Sequence, residues 1–300
     1  MSQSSGSKPS VLFINRVFPP EHGATGRMVR DLSLAFAKDG WHVNVICASK
    51  TQGIERHKNA DTRVHRIKGP LKSKTIFRYL KIWFRLYRAA KKQPPHDLVI
   101  SMTDPPLFVI GAARIARKKK SLHMHWCQDL YPDLLPVFKI NLPAPIYKIL
   151  EHLSRKSMKS CDRVVVIGRD MAKHLIAQGI DSHKISVIPN WPNIELVRPP
   201  GSYHGGKTGG DGGASRRNSK FHGETEIRPL KPGQEPMVNL FKDQNNPRFR
   251  ILYAGSIAKS HPTGPIMQAA NILNESNPEI EFIFVGDGPG FEEIAQQRAY

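Results

Sequence analysis

Cysteine is scarce in this chain: Cys47, Cys127 and Cys161 are the only three, and they lie far apart. That excludes a disulfide framework, fits a reducing compartment, and leaves no spaced thiol cluster for a metal. No run of 18 apolar residues occurs, so no segment reads as an ordinary membrane-spanning helix. The opening stretch, Met1 to Lys8, is polar and serine-rich and runs straight into a strand-like segment, so it does not read as a signal peptide. Acidic side chains are also few, 25 against 45 basic ones, for a formal net charge of +20. With 39% hydrophobic residues and a mean hydropathy of -0.40, the composition is that of a soluble globular chain.

The charge is local. Residues 1–198 hold 34 basic and 14 acidic side chains, residues 199–248 hold 8 and 5, and residues 249–300 hold 3 and 6. A field of that size draws phosphates, nucleic acid or an anionic membrane. Nucleic acid is the weakest of these partners, because no zinc pattern, aromatic platform or reading helix accompanies the charge.

Apolar periodicity divides the chain. Val11 to Asn15 is a short apolar run without alternation, as in a buried parallel strand. A loop with Pro19, Pro20, Gly23 and Gly26 follows, with Thr25 as the expected helix cap. Met28, Leu32, Ala35 and Phe36 then repeat at helical spacing up to Asp39-Gly40, and Val43 to Ala48 is the next strand. This is a βαβ unit. Strands at 61–67, 97–102, 122–127, 163–167 and 185–188 alternate with helices at 72–92, 107–117, 146–160 and 171–178. The expected fold is α/β, an open, mostly parallel, doubly wound sheet over residues 1–198. Residues 199–248 carry seven glycines between Gly201 and Gly213 and few apolar residues, which reads as a flexible insertion or linker. Strands at 250–254 and 281–285, with helices at 265–273 and 291–298, open a second Rossmann-like domain over 249–300 that looks cut short.

The 72–92 helix holds eight basic residues and no acidic one. Arg78, Lys81, Arg85 and Arg88 line one face; Ile76, Leu80, Trp83 and Tyr87 line another, with Phe77 and Phe84 beside them. Two readings stand: an in-plane contact with an anionic membrane, or a crossover helix with a solvated basic face.

Four strand ends carry glycines or polar residues where ligands of open parallel sheets bind. The loop over Gly23 and Gly26 permits close backbone approach but matches neither the dinucleotide fingerprint nor the phosphate loop of nucleotide hydrolases. His123 and His125 point to one side of their strand, and Asp129 follows; zinc on two histidines and one distant aspartate is a weak set. An imidazole there can donate to an anion or hydroxyl, and a carboxylate can orient sugar hydroxyls. Asp104 before two prolines, and Asn190-Trp191-Pro192, end two further strands.

Taken in order, these segments resemble the retaining glycosyltransferases of family four, of the GT-B fold, in the group that builds extracellular polysaccharides and surface glycans. The segments are Phe18 to Gly26, Gln128-Asp-Leu-Tyr-Pro132, Val164 to Met171, Ile188 to Trp191, Tyr253-Ala-Gly255 and Phe284 to Pro289. The resemblance implies transfer of a sugar from a nucleotide-diphosphate donor to a glycan or lipid-linked acceptor with retained configuration, at the cytoplasmic face of the membrane. It implies no obligatory cofactor or metal. His125, Asp129 and Lys259 would be catalytic, and Gly23, Gly26, Asp104 and Asn190 would shape the acceptor side. Gly255, Ser256, Lys259, His261, Gly286 and Gly288 would face the donor. Relatives read Gly-Asn-Leu/Met-Gly-Arg-x-His where this chain has Gly255-Ser-Ile-Ala-Lys-Ser-His261; Lys259 keeps charge without a guanidinium fork. The family's Glu-x7-Glu region would follow residue 300. The alternative is a non-catalytic, membrane-associated, acceptor-binding subunit whose donor domain a partner completes.

Overall fold

The computed structural model describes residues 8–21, 23–57, 61–69, 76–138, 140–191, 249–255, 257, 263–286 and 288–296. They fall into two compact units. The first holds the described residues up to 134 and from 142 to 191; the second holds those between 135 and 141 and from 249 onward. The expected linker at 199–248 lies outside the described residues.

The first unit is an eight-stranded sheet. Its elements run β1 (Ser10–Ile14), α1 (Ala24–Lys38), β2 (His42–Ser49), β3 (Gly53–His57), β4 (Thr62–Lys68) and α2 (Ile76–Lys92). There follow β5 (Leu98–Met102), α3 (Phe108–Lys119), β6 (Leu122–Cys127), α4 (Ala144–Lys159), β7 (Arg163–Val166), α5 (Arg169–Ala177) and β8 (Ile185–Val187). The strand order is β3-β4-β2-β1-β5-β6-β7-β8. Every neighbouring pair is parallel except β3 with β4. The doubly wound fold expected from periodicity is thus present. The β3 strand was not expected: Gly-Ile-Glu-Arg-His has little apolar content and sits at the sheet edge.

Leu12, Phe13, Ile14, Val45, Ile46, Val99 and Ile100 are wholly buried, because helices cover both faces of the central strands. Val11, Phe13, Val45 and Ile100 pack with Met28 and Val29 of α1. Leu12, Ile14, Ile46 and Val99 pack with Ile82 and Leu86 of α2 and with Phe108, Ala112 and Ile115 of α3. Each such side chain contributes about 1.5–3 kcal/mol by leaving water. The alternation within each strand therefore decides which helix it meets.

The second unit contains a parallel pair, β9 (Phe249–Ala254) with β10 (Ile280–Val285), and the helices α6 (Gly264–Ser276) and α7 (Pro289–Gln296). Ile257, Met267 and Ile294 form its buried centre, with Tyr253, Phe284 and Phe291 against them.

Candidate functional site

Polar residues gather where β1, β5 and β6 end. On the α1 side, wholly buried Asn15 donates through Nδ2 to the Val17 carbonyl at 2.6 Å and to Thr25 Oγ1 at 3.3 Å. Thr25, expected as the helix cap, instead lies inside the first turn of α1; the cap position is Gly23, which has no side chain to offer. Gly23 and Gly26 both sit against Val17. A Cβ on Gly26 would stand 2.9 Å from the Val17 carbonyl oxygen, so the loop and helix meet only because that side chain is absent. Arg66 holds the same loop from β4. Its guanidinium grips Glu55 at 2.6 and 3.0 Å, reaches the Pro19 carbonyl at 2.6 Å, and lies over the Phe18 ring. The Glu55–Arg66 clamp had no sequence signal, since it depends on the antiparallel β3.

The end of β8 returns to this side. Arg27 Nη2 donates to the Trp191 carbonyl at 2.9 Å, and Trp191 Nε1 donates to Asp31 Oδ2 at 3.0 Å. Trp191 meets Trp126 edge to face, and Gln128 Nε2 donates to Asn190 Oδ1 at 2.9 Å. Asn190 and the Gln128 segment are therefore brought together.

On the other side, Arg16 and Asp104 form an ion pair at 2.7 Å, with a main-chain bond from Arg16 to Asp104 beside it. The Arg16 guanidinium also lies over Tyr79 of α2 at 5.5 Å. Burial raises the Asp104 carboxyl above its usual range, outweighing the pull of Arg16. Desolvation, then the Asp104 charge, raises Asp129 as well; Tyr131 is pushed up by burial and then by Asp129. Leu107 enters α3 at φ 62°, a left-handed conformation that a leucine adopts at a cost. Thr103, His125, Asp129, Tyr131 and Ser154 contribute to the lining of a small cavity of 10 Å³, about one water. His125 is 4% exposed, and Asp129 is solvent-accessible beside it.

Of the ten buried side-chain polar atoms without a hydrogen-bond partner among the described residues, five lie at this edge: Asn15 Oδ1, Arg27 Nε, Thr103 Oγ1, Trp126 Nε1 and Gln128 Oε1. Buried polar atoms are almost always paired. Five unpaired ones around the ends of three adjacent strands mark a place prepared for polar company. Among the described residues, no three His, Cys, Asp or Glu side chains are arranged to hold a metal ion.

In the second unit, Gly255, Gly286 and Gly288 all have positive φ. A Cβ on Gly286 would overlap the Gly255 carbonyl, and one on Gly288 would overlap the Ile257 carbonyl. The ends of β9 and β10 thus touch backbone to backbone. Ser256, Lys259 and His261 lie outside the described residues.

The α2 helix corrects an expected face. Ile82, Leu86 and Ala90 are its wholly buried stripe. Trp83 and Tyr87, expected at a lipid boundary, turn inward: they stack on each other at 5.6 Å, and Trp83 packs on Phe108 and against Gly111. Leu80, from the same expected face, is 47% exposed, with Phe77 at 79% and Phe84 at 56%. Arg78, Lys81, Arg85 and Arg88 are exposed beside them. No described helix is long and apolar enough to cross a membrane.

The chain belongs to glycosyltransferase family 4, whose family model matches residues 25–196. It is 22% identical over 196 residues to the probable glycosyltransferase WbjE of Pseudomonas aeruginosa, covering 64% of this chain and 40% of WbjE. The catalytic domain of starch synthase IV from Arabidopsis thaliana, bound to ADP and acarbose, superposes with a TM-score of 0.54 at 12% identity, over 97% of this chain and 72% of that one. HepE from Anabaena, in complex with UDP and glucose, gives 0.49 at 13% identity, over 96% and 65%. The chain thus spans 40% of WbjE and 65% of HepE. The fold is α/β and GT-B-like, with a Rossmann-like parallel-sheet domain followed by a smaller second one.

Proposed function

We propose that this chain acts in sugar transfer, from a nucleotide-diphosphate donor to a glycan or lipid-linked acceptor with retention of configuration. The observation that carries this reading is the set of unpaired buried polar atoms at the ends of β1, β5 and β6, in a chain of this family. Carbohydrate ligands are dense in hydroxyls that both donate and accept, and such atoms suit them. The nucleoside diphosphates bound to the starch synthase and to HepE support a donor of that class.

In this reading the Asp129 carboxylate and the Asn190–Gln128 pair orient acceptor hydroxyls, and Gly23 and Gly26 let the acceptor approach the main chain. Asp104 orders the edge through Arg16. The chemical difficulty is departure of the diphosphate, which gains negative charge as the anomeric bond breaks. Lys259 and His261 are the proposed counter-charges, with Ser256 and the turns at Gly255, Gly286 and Gly288 close to the phosphates. Their assignment rests on the sequence resemblance. Holding the acceptor hydroxyl in line with the anomeric carbon supplies the remaining advantage.

Exposed Phe77, Leu80 and Phe84 among Arg78, Lys81, Arg85 and Arg88 favour work at the anionic inner face of the cytoplasmic membrane. The same patch favours the second reading, an acceptor-binding subunit that docks on lipid and relies on a partner for the donor half.

Purified full chain with UDP-glucose and other nucleotide sugars separates the two. Release of nucleotide that falls about 100-fold or more in Lys259→Ala is expected for the transferase. Unchanged turnover removes Lys259 from the mechanism. Glycolipid binding with no nucleotide affinity at all selects the second reading.

A further inference from the structure

A continuous hydrogen-bonded chain of buried side chains runs along β5 and β6. Ser101 and His125 are direct neighbours across the two strands, and Val99 and His123 are the preceding pair on that side. Cys161, His123, Ser101 and His125 are all at least nine-tenths buried. Cys161 Sγ lies 3.4 Å from the Ser157 carbonyl and 3.3 Å from His123 Nδ1. His123 Nε2 is 3.0 Å from Ser101 Oγ, which is 3.0 Å from His125 Nδ1; that nitrogen is also 3.0 Å from the Ser101 carbonyl.

Both ends of this chain are backbone carbonyls, which can only accept. Each end therefore dictates a proton position. At one end the Ser101 carbonyl requires a proton on His125 Nδ1. At the other, the Ser157 carbonyl takes the Cys161 S–H, so His123 Nδ1 must donate to that sulfur. His123 Nε2 is then bare and accepts the Ser101 hydroxyl proton, which leaves the Ser101 oxygen lone pairs facing His125 Nδ1–H. This assignment satisfies every contact, and at His125 the Ser101 carbonyl admits no other, since a bare Nδ1 would face its lone pairs.

From this we infer that His125 is a neutral imidazole of fixed polarity, which presents a proton-free Nε2 to the cavity beside Thr103, Asp129 and Tyr131 as a permanent hydrogen-bond acceptor. The residue read from sequence as a donor to anions or hydroxyls has the opposite capacity. Its partner is a group that gives a proton, a hydroxyl of water or of a sugar ligand, and a phosphate oxygen is rejected. Thr103 Oγ1, buried and unpaired in the same cavity wall, is free to take or give the second bond of such a hydroxyl. Burial backs the neutral form: it lowers His123 to about 4 and, with the His123 ring as a lesser cause, His125 to about 3. The other titratable groups lining the cavity are Asp129, Tyr131 and Cys127, and desolvation raises all three. Ser101, His123 and Cys161 are positioning residues in this account. The inference refines the proposed sugar site, yet the polarity stands on the hydrogen bonds alone.

The test uses the full chain labelled with nitrogen-15 at histidine, read by long-range proton–nitrogen correlation. His125 is expected to show a protonated Nδ1 and a bare Nε2 at about pH 7, unchanged at about pH 5.5, where a free histidine is charged. A protonated Nε2, or an imidazolium at neutral pH, overturns the inference. Ser101→Ala keeps the carbonyl and deletes the hydroxyl; it should leave the His125 pattern in place and give His123 a mixture of tautomers. Loss of the Nδ1 proton from His125 in that variant would equally overturn it. Cys161→Ala should disturb His123 alone, and Cys161→Ser should restore it. Added UDP-glucose then separates the two sources of the hydroxyl: movement of the Nε2 resonance assigns the donor to the ligand, and no movement assigns it to water. Because these spectra need no turnover, failure of the transfer assay and failure of the fixed polarity are distinguishable.

Discussion

The two units treat their parallel strands differently. In the first, β1 and β5 each bury four of five residues; in the second, no residue of β9 or β10 is buried. A parallel strand that is apolar throughout needs cover on both faces. The central strands β1 and β5 have it, lying between α1 on one side and α2 with α3 on the other. The second unit's centre consists of three buried side chains. Opening free energies therefore differ along the chain, with the first unit at the high end.

Paired truncations break or sharpen this contrast most directly. Phe13→Ala should cost about 3–5 kcal/mol and Met267→Ala about 2 kcal/mol, read by urea unfolding followed at far-ultraviolet dichroism. Equal costs would mean that the second unit is as well packed as the first. Next in size, Asp104→Asn neutralises one member of a mostly buried ion pair. A loss of about 3 kcal/mol is expected, with the second unit's hydrogen exchange unchanged. Protection lost equally in both units would show that the edge ion pair supports more than its own sheet.

Acid should weaken the first unit selectively. His123 and His125 remain neutral in the fold down to about 4 and about 3, whereas in the unfolded chain they charge near 6.5. Below that pH the unfolded state binds protons that the native state does not. Stability is therefore lost as pH falls from about 6.5 toward 4, by up to about 1.4 kcal/mol per pH unit for each ring. Thermal melts of the wild type and of His125→Gln across this range check the sign. A melting temperature that is flat or rises toward pH 5 contradicts it. The last test concerns the α2 surface. Replacing Arg78, Lys81, Arg85 and Arg88 by serine should weaken pelleting with phosphatidylserine liposomes by up to about 1 kcal/mol per charge, and added salt should do the same to the wild type. Binding that ignores both changes removes the membrane contact.

Much of the first unit was readable from residue order. Short apolar runs without alternation, separated by helical repeats, announce buried parallel strands, and the observed β1, β2, β5 and β6 fall within a residue or so of those runs. The β3 strand escaped because an edge strand of Gly-Ile-Glu-Arg-His needs only a partner, which β4 supplies. Thr25 looked like a cap because its residue type suits that place; Asn15, ten residues away, takes its hydroxyl instead. Trp83 and Tyr87 looked interfacial because they are amphipathic, but the short distance to Gly111 on α3 draws them inward. At the site, the glycine loop, Asp104, Asp129 and Asn190 were visible because each stands at the end of a recognisable strand. Arg16, Arg66 and Ser101 were not, since an ordinary arginine or serine acquires its role only from what it faces.

Composition and periodicity alone determined that this chain folds as alternating strands and helices, that its positive charge lies ahead of residue 199, and that glycines and carboxylates stand at the strand ends. Those properties are local, written in spacings of two and of three to four residues. Tertiary structure alone decided that Ser101 lies opposite His125, with His123 and Cys161 in line behind. Strand register and helix docking are properties of distant segments, and hydrogen-bond polarity is set by whichever carbonyls those segments happen to bring to the two ends.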